Sequence, residues 1–193
     1  MTTAVAAPAP ATGRWQFLDR PAERLRYATI ASLITSFAGR GPVVEIGSGD
    51  GHLLGWLDPA ATPEYIAVDL DTELLSGLRH VAIPIVRRTS RMEDFTPEAA
   101  PIAALVASEV LCYVEEPGRH LNRIWNAARH IELAVVSSVL PHAGKPNWQR
   151  GYDRVIAALA ETQWPILDRI RIESAATKLA WEIVALRPGP AQS

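Results

Sequence analysis

The sequence has few of the features that mark a disulfide-bonded, membrane-spanning or nucleic-acid-binding protein. Its 193 residues include one cysteine, Cys112, which excludes a disulfide within the chain and a thiolate-rich metal site. No apolar run approaches the roughly 20 residues of a membrane span. A net charge of −2 gives no electrostatic sign of binding to nucleic acid or to an anionic membrane. We therefore expect no metal site, no nucleic-acid partner and no membrane partner.

The two ends of the chain carry little information. Residues 1–13 are rich in alanine, proline and threonine, and they lack the basic start and long apolar core of a secretion signal. We expect a disordered tail over 1–13, one domain over 14–188 and a second tail over 189–193. The default expectation for location is the cytoplasm, and the sequence leaves the oligomeric state open.

Between these tails, short apolar strands alternate with segments of helical periodicity. Apolar spacing predicts a first helix over Pro21–Phe37. The last two strands are joined by a link too short for a helix, which predicts an antiparallel hairpin. The order predicts an α/β fold: a doubly wound, mostly parallel seven-stranded sheet with a C-terminal antiparallel hairpin and helices on both faces. The predicted strands are 43–46, 65–69, 81–86, 103–107, 133–139, 166–172 and 181–186, and a helix is predicted over 51–57.

A glycine-rich stretch after the first strand is the most informative motif. The residues E-I-G-S-G-D-G-H (45–52) lead from an apolar strand into a helical pattern. Glycine allows a tight turn and lets a ligand lie against bare backbone. Asp69 ends the second strand, where an open α/β sheet presents a carboxylate to ribose hydroxyls, although it can instead cap a helix beginning near Thr72. Together these residues predict a pocket for a nucleoside-bearing cofactor.

The spacing and charge of this stretch discriminate between cofactors. The glycines follow the pattern G-x-G-x-G, and His52 occupies the place of the third glycine in a dinucleotide fingerprint. Glu45 and Asp50 are poorly suited to a pyrophosphate, which needs positive charge. A ligand that carries an ammonium and a sulfonium is attracted by the same carboxylates. The motif therefore favours S-adenosylmethionine over NAD.

Several motifs resemble those of a known family. The pattern E-x-G-x-G-x-G (45–51) followed by V-D-L (68–70) resembles the first two motifs of class I S-adenosylmethionine-dependent methyltransferases. The segments E-R-L-R-Y (23–27) and A-S-E-V-L-C-Y (107–113) are similar to a small bacterial branch that includes the nodulation N-methyltransferases. The resemblance covers about residues 15–188. It implies a Rossmann-like enzyme that uses S-adenosylmethionine to methylate a nitrogen or oxygen of a small-molecule substrate.

The resemblance also implies which residues bind the cofactor. The amino-acid end would contact Glu45 and the glycine loop, the ribose would contact Asp69, and the adenine would lie against Leu70 and the loop 90–94. Ser108 would lie near the methyl group at the end of the fourth strand. The complete implied set is Glu45, Gly47, Ser48, Gly49, Asp69, Leu70, Met92, Glu93 and Ser108.

Three further residues are candidates for catalysis, each with a plainer alternative. Glu109 can serve as a general base or as an acid in the first turn of a helix. Tyr113 can orient a substrate or pack in the core. His142 can take a proton near neutral pH or lie on an exposed loop. A dedicated base is optional, because methyl transfer depends mainly on alignment and exclusion of water.

Two other functions stay open at this point. One is an NAD(P)-dependent oxidoreductase on the same type of sheet, which the missing third glycine disfavours. The other is a protein that binds S-adenosylmethionine but has lost methyl transfer or uses the cofactor for different chemistry.

Overall fold

The computed structural model describes residues 20–80, 82–98, 100–128, 130–142 and 145–189. The tail predicted over 1–13 and most of the one predicted over 189–193 lie outside this set. The helices are α1 (Pro21–Phe37), α2 (Thr72–Gly77), α3 (Pro117–Ala127) and α4 (Pro146–Thr162). The strands are β1 (Val43–Ile46), β2 (Tyr65–Asp69), β3 (Ile85–Thr89), β4 (Pro101–Ser108), β5 (His130–Val139), β6 (Ile166–Ser174) and β7 (Leu179–Leu186).

All seven strands form one sheet in the order β3-β2-β1-β4-β5-β7-β6. The pairs from β3 to β5 are parallel, whereas β7 runs antiparallel to both β5 and β6. The predicted α/β fold with a C-terminal antiparallel hairpin is therefore confirmed. The strand order reverses between β1 and β4, and ligands of open α/β sheets bind outside the carboxyl ends of the strands at such a point.

Both faces of the sheet are covered by helices, as predicted for a doubly wound sheet. Along β4, Ala104 and Val106 face a cluster formed with α1 and α2, whereas Leu105 and Ala107 face a cluster formed with α3 and α4. The two clusters alternate along the central strands because successive side chains of a strand point to opposite faces. The core thus packs against both faces of β1 and β4 and fixes the position of their carboxyl ends.

Two elements differ from the prediction. A short 3-10 helix (Leu53–Trp56) replaces the helix predicted over 51–57. Gly51 has a φ of +77°, a left-handed conformation that an α-helix cannot contain, and this shortens the segment. The third strand begins at Ile85 rather than at 81, directly after Pro84, whose missing N–H cannot join a strand ladder.

The hairpin closes through a turn over residues 175–178. The Lys178 N–H donates to the Ser174 carbonyl at 2.7 Å, and Lys178 itself has a φ of +56°. The turn therefore contains a lysine in a conformation that glycine and asparagine adopt more readily.

Among the described helices, none combines the length and the hydropathy required to cross a membrane.

Candidate functional site

The loop after β1 is held against the end of β2. Gly47 and Ser48 both donate their N–H groups to the Val68 carbonyl, at 2.8 and 3.1 Å. Gly47, Gly49 and Gly51 have φ values of +72°, +53° and +77°. The left-handed backbone at each of these three positions favours glycine over other residues. The alternating glycines turn the chain sharply and present bare backbone at the carboxyl edge of the sheet.

The two acids that follow β2 have different roles. Asp69 accepts the Gly49 N–H at 2.8 Å on Oδ2 and the Asp71 N–H at 2.9 Å on Oδ1. Asp71 caps α2, since its Oδ1 accepts the N–H groups of Glu73 and Leu74 at 2.9 and 3.1 Å. The alternative role of Asp69 as a helix cap therefore belongs to Asp71. Asp69 instead joins the β2 end to the glycine loop.

Three features beside Asp69 are compatible with a bound ligand: a buried hydroxyl without a partner, an open backbone position and an exposed apolar side chain. The Ser48 hydroxyl is buried without a hydrogen-bond partner among the described residues, a costly arrangement that a polar ligand relieves. A Cβ added to Gly49 would meet no atom within 4 Å, so there is space above this backbone. Leu70 is 61% exposed, which leaves an apolar side chain uncovered next to the acid.

Glu45 lies beneath the glycine loop, on the α1 face of the sheet. It is 2% exposed and accepts a hydrogen bond from the Tyr65 hydroxyl on the neighbouring strand. Burial raises the pKa of Glu45 to about 8, although Tyr65, Arg26 and His52 act in the opposite direction. A large fraction of Glu45 is therefore protonated near neutral pH, and a cation placed beside it favours the ionised form.

A buried arginine connects α1 to this edge. Arg26 is 1% exposed, donates from Nε to Glu23 at 2.9 Å and donates from Nη1 to the Ser108 hydroxyl at the end of β4. Burial acts to lower the pKa of Arg26, and Tyr27, Glu109 and Glu23 together raise it. The guanidinium is therefore the positive centre of a group of buried carboxylates.

The aromatic residues around this arginine close the space beneath the loop. The Tyr27 ring lies 4.3 Å from the Arg26 guanidinium carbon. It also stacks on His52, with centroids 5.6 Å apart. His52 is 4% exposed and its Nδ1 contacts the Asp50 carboxylate. His52 thus links the glycine loop to α1. The residue that replaces the third glycine of a dinucleotide fingerprint therefore has a packing role in this fold.

Glu109 occupies a constrained position just after β4. Its φ is +58°, and its backbone N–H donates to the Ser137 carbonyl at 2.9 Å. Its carboxylate accepts the Ser137 hydroxyl at 3.1 Å and the Val139 N–H at 2.9 Å. Burial raises the pKa of Glu109, while Arg26 lowers it. The side chain therefore fastens the end of β4 to the end of β5.

The remaining predicted residues lie farther from the glycine loop. Met92 is 3% exposed in the core and Glu93 is half-buried beside it. Tyr113 is 83% exposed on a 3-10 helix after β4. His142 is exposed, with its ring edge towards Trp148 at 6.4 Å between centroids. Thus Glu45, the glycine loop, Asp69, Ser108 and Glu109 share one edge, while His142 lies at the corner next to the hairpin.

Residues 18–168 match a family model described as a methyltransferase domain. The match spans more than half of the chain. The chain belongs to this family. It is a class I S-adenosylmethionine-dependent methyltransferase, as the motifs E-x-G-x-G-x-G (45–51) and V-D-L (68–70) imply. The family assignment does not support the alternative of an NAD(P)-dependent oxidoreductase. No curated protein sequence matches the chain at a significant level.

Solved structures with the same fold are distant in sequence. The N-methyltransferase NodS from Bradyrhizobium japonicum, solved with S-adenosyl-L-homocysteine, has 16% identity and a TM-score of 0.69 over 90% of this chain and 91% of its own. The magnesium protoporphyrin IX methyltransferase from Synechocystis, solved with bound S-adenosylmethionine, has 10% identity and a TM-score of 0.66 over 95% and 88%. The [4+2]-cyclase SpnF has 15% identity and a TM-score of 0.68 over 94% and 85%. At these identities the likeness establishes the fold alone.

The edge beside the glycine loop of this methyltransferase fits S-adenosylmethionine. The orphaned Ser48 hydroxyl and the open space above Gly49 suit the polar amino-acid end of the cofactor. Each Asp69 oxygen has one internal donor, which leaves acceptor capacity for two ribose hydroxyls. Leu70 is an exposed apolar side chain next to Asp69, as a contact to an adenine would require. The site residues named for the cofactor stay predictions that this geometry supports.

Sequence reasoning did not assign a role to Arg26. A signal was present, because Glu23 and Arg26 fall on the same stripe of α1 as the buried residues Tyr27 and Ile30. Two charged residues in an apolar stripe indicate a buried, paired site. Among the described residues, Arg87 on β3 makes only local contacts, since it donates to the carbonyls of Leu75 and Leu78.

Proposed function

We propose that this methyltransferase transfers the methyl group of S-adenosylmethionine to a nitrogen or oxygen of a small molecule. The observation that carries the proposal is the open carboxyl edge, where the Asp69–Leu70 end of the cofactor site and the β4 end share one side of the sheet. Between β4 and α3 the chain runs only through residues 109–116. Within the described ranges from 20 to 189, no inserted domain covers this edge, which suits a small acceptor.

The residues at the edge would bind and align the reactants. The cofactor supplies a methyl carbon activated by its bond to a positively charged sulfur. The Ser48 hydroxyl and the glycine loop hold its amino-acid end, and Asp69 holds its ribose. Glu109 takes the proton that the acceptor releases, since burial raises the pKa of this carboxyl and places it closer to neutral pH. Exposed Tyr113 contacts the acceptor at the mouth.

Two of the structurally similar methyltransferases are named for small-molecule substrates, which supports a small acceptor here. One acts on magnesium protoporphyrin IX and another on geranyl diphosphate, and the latter has 12% identity and a TM-score of 0.63. SpnF, described as a [4+2]-cyclase, shows that the same fold also serves other chemistry. The second candidate is therefore a cofactor-binding protein that transfers no methyl group.

Mass spectrometry of the nucleoside product separates these candidates. The purified chain is incubated with S-adenosylmethionine and a panel of small amines, phenols and carboxylic acids. Methyl transfer predicts S-adenosylhomocysteine and a methylated acceptor in equal amounts. Release of methylthioadenosine, or an unchanged cofactor that nevertheless binds in calorimetry, would count against the proposal.

The Glu109→Gln variant tests the role of the base. It keeps the size of the side chain and the acceptor atom for the Val139 N–H. General-base catalysis contributes about 10²–10⁴-fold, so we expect a loss of kcat in that range with little change in cofactor affinity. The acidic limb of the pH–rate profile should also disappear. An unchanged profile would leave Glu109 as a positioning residue only.

A further inference from the structure

A cavity of about 410 Å³ lies at the corner of the sheet beside the β6–β7 hairpin. Its wall includes Leu140 and His142 after β5, Arg171 and Glu173 near the end of β6, and Lys178 in the turn. This volume falls within the range of small-molecule pockets, about 300–1,000 Å³. None of the residues predicted to bind the cofactor lines it, so it is a separate place at the same edge.

The charges on the wall of this cavity are predominantly positive. Arg171 and Lys178 lie on it with one carboxylate, Glu173. Glu173 is already paired with Arg171 at 2.6 Å. The next carboxylate on the same face of the hairpin, Glu182, accepts from Arg169 at 3.2 Å and from the Tyr152 hydroxyl at 3.1 Å. Both acids have local partners, and one positive charge is left over.

That remaining charge belongs to Lys178. Within the described part of the chain, its ammonium makes no hydrogen bond and no ion pair. Its left-handed φ of +56° is a conformation that asparagine or glycine adopts at lower cost. The turn therefore carries a cation on the cavity wall at a position where local backbone preference favours an uncharged residue.

The cavity wall begins one residue beyond the strand end that Glu109 contacts. Glu109 is bonded to the Val139 N–H, and the next residue, Leu140, begins the cavity wall. Leu140 in turn donates its N–H to the Ala180 carbonyl of β7 at 2.8 Å. Neighbouring strands are about 4.8 Å apart, so the hairpin lies about 10–15 Å from the β4 end. A small molecule of that length reaches both places.

We propose that this cavity binds an anionic group of the methyl acceptor, a carboxylate or a phosphate, through Lys178 and Arg171. The proposal rests on the proposed methyltransferase function and adds the class of its substrate. The anion replaces Glu173 as the partner of Arg171 or shares it, and it gives Lys178 a partner. The apolar wall residues Leu140 and Leu179 then contact the body of the acceptor.

The test uses nuclear magnetic resonance of the full chain, saturated with S-adenosylhomocysteine. The amide resonances of Leu179 and Ala180 are followed during titration with benzoate, phenyl phosphate and the neutral analogue benzamide. We expect saturable shifts with at least one anion and an affinity for benzamide that is weaker by about tenfold or more. Preference for benzoate indicates a carboxylic acid, and preference for phenyl phosphate indicates a phosphate ester.

The variants are chosen so that the fold survives. Lys178→Asn removes the charge and suits the left-handed turn, and Arg171→Gln keeps most of the side-chain length. The double variant should bind the preferred anion about tenfold more weakly. Arg119→Gln is the matched control, because Arg119 is also exposed and pairs with a nearby acid, Glu116, at 3.0 Å. Arg119→Gln should bind the anion as the wild type does.

The outcomes separate this proposal from the proposed function. Benzamide binding as tightly as both anions, or a double variant that keeps the wild-type affinity, would overturn the anion site. Calorimetry with S-adenosylhomocysteine is done first, and no binding there would count against the methyltransferase function instead. The titration can then be repeated without cofactor, where the same anion preference at Leu179 and Ala180 is expected.

Discussion

The two halves of the sheet's carboxyl edge are built in different ways. Over β1, β2 and β4, the charged groups are buried and mutually bonded, with Arg26 joined to Glu23 and to Ser108. Over β5, β7 and β6, Arg171, Glu173 and Lys178 are exposed, and Lys178 has no ion pair among the described residues. A buried network has a fixed geometry, whereas exposed side chains adapt. This difference is consistent with the proposed cofactor site in the first half and the proposed acceptor site in the second.

The buried half should also be the more sensitive to mutation. Electrostatic interactions are stronger where water is excluded, and an unpaired buried charge is costly. Exposed ion pairs contribute little to stability. The comparison therefore predicts large effects on stability and cofactor affinity from the first half, and effects on acceptor selectivity from the second.

Removing the charge of Arg26 should give the largest effect. Arg26→Met leaves Glu23 without its buried partner, and breaking a buried pair costs about 3–5 kcal/mol. Chemical denaturation monitored by circular dichroism measures the free energy of unfolding. Arg24→Met is the matched control on the same helix, because Arg24 is exposed and should lose less than about 1 kcal/mol. Equal losses of unfolding free energy in the two variants would show that the buried pair of Arg26 and Glu23 contributes no more to stability than an exposed arginine does.

The buried carboxyl of Glu45 should make stability dependent on pH. Burial raises its pKa from 4.5 to about 8, so between these values the folded chain holds the proton more tightly than the unfolded chain. This contribution is complete below about pH 4.5 and is lost as the pH rises through 8, so stability falls.

Glu45→Gln should reduce this decline by about 2–4 kcal/mol between pH 5 and 9, since one pKa unit corresponds to about 1.4 kcal/mol. Denaturation curves recorded across that range provide the measurement. Glu98→Gln serves as the control because the Glu98 side chain is 85% exposed. Parallel pH profiles for the wild type and Glu45→Gln would contradict the role given to burial.

Asp69 should control cofactor affinity. Asp69→Ala removes two acceptor oxygens from the proposed ribose site and should weaken S-adenosylmethionine binding by about 1–3 kcal/mol, as measured by calorimetry. Asp71→Ala is the matched control, since Asp71 caps α2. It should cost about 1 kcal/mol of stability with cofactor affinity close to that of the wild type. If both variants bind equally well, the ribose assignment is wrong.

Leu70 should give the smallest effect. Leu70→Ser removes an exposed apolar surface that would cover one face of the adenine, and burial of part of a leucine contributes about 1 kcal/mol. Leu25→Ser is the control, because Leu25 is a comparably exposed leucine at 53%. Titration calorimetry should show weaker cofactor binding for Leu70→Ser only. A similar loss in both variants would argue against an adenine contact.

The same comparison explains what could be predicted from the sequence. The half of the edge over β1, β2 and β4 depends on two short segments, the glycine loop and the end of β2. The loop carries a glycine motif that its left-handed backbone favours. The fold followed from apolar periodicity, apart from the 3-10 helix at Leu53–Trp56 and the later start of β3 at Ile85. By contrast, Arg26 and Ser108 are 82 positions apart, and no spacing rule relates them.

The half of the edge over β5, β7 and β6 was the least predictable part. His142 was a candidate for catalysis from its place after β5, but the cavity that it lines also takes its wall from β6, the turn and the start of β7. Side chains from three segments meet there only because β7 inserts between β5 and β6. Lys178 lies in a turn, where no helix or strand periodicity predicts which way a side chain faces. Its place on the cavity wall is therefore seen only in the folded hairpin.

Chemical-shift mapping with S-adenosylhomocysteine tests the central claim most directly. The claim is that the cofactor occupies the buried half of the edge and leaves the hairpin corner for the acceptor. We predict that the titration shifts the amides of residues 47–49 and 69–70 and leaves those of Leu179 and Ala180 unchanged. Shifts confined to the hairpin, with none at the glycine loop, would contradict it.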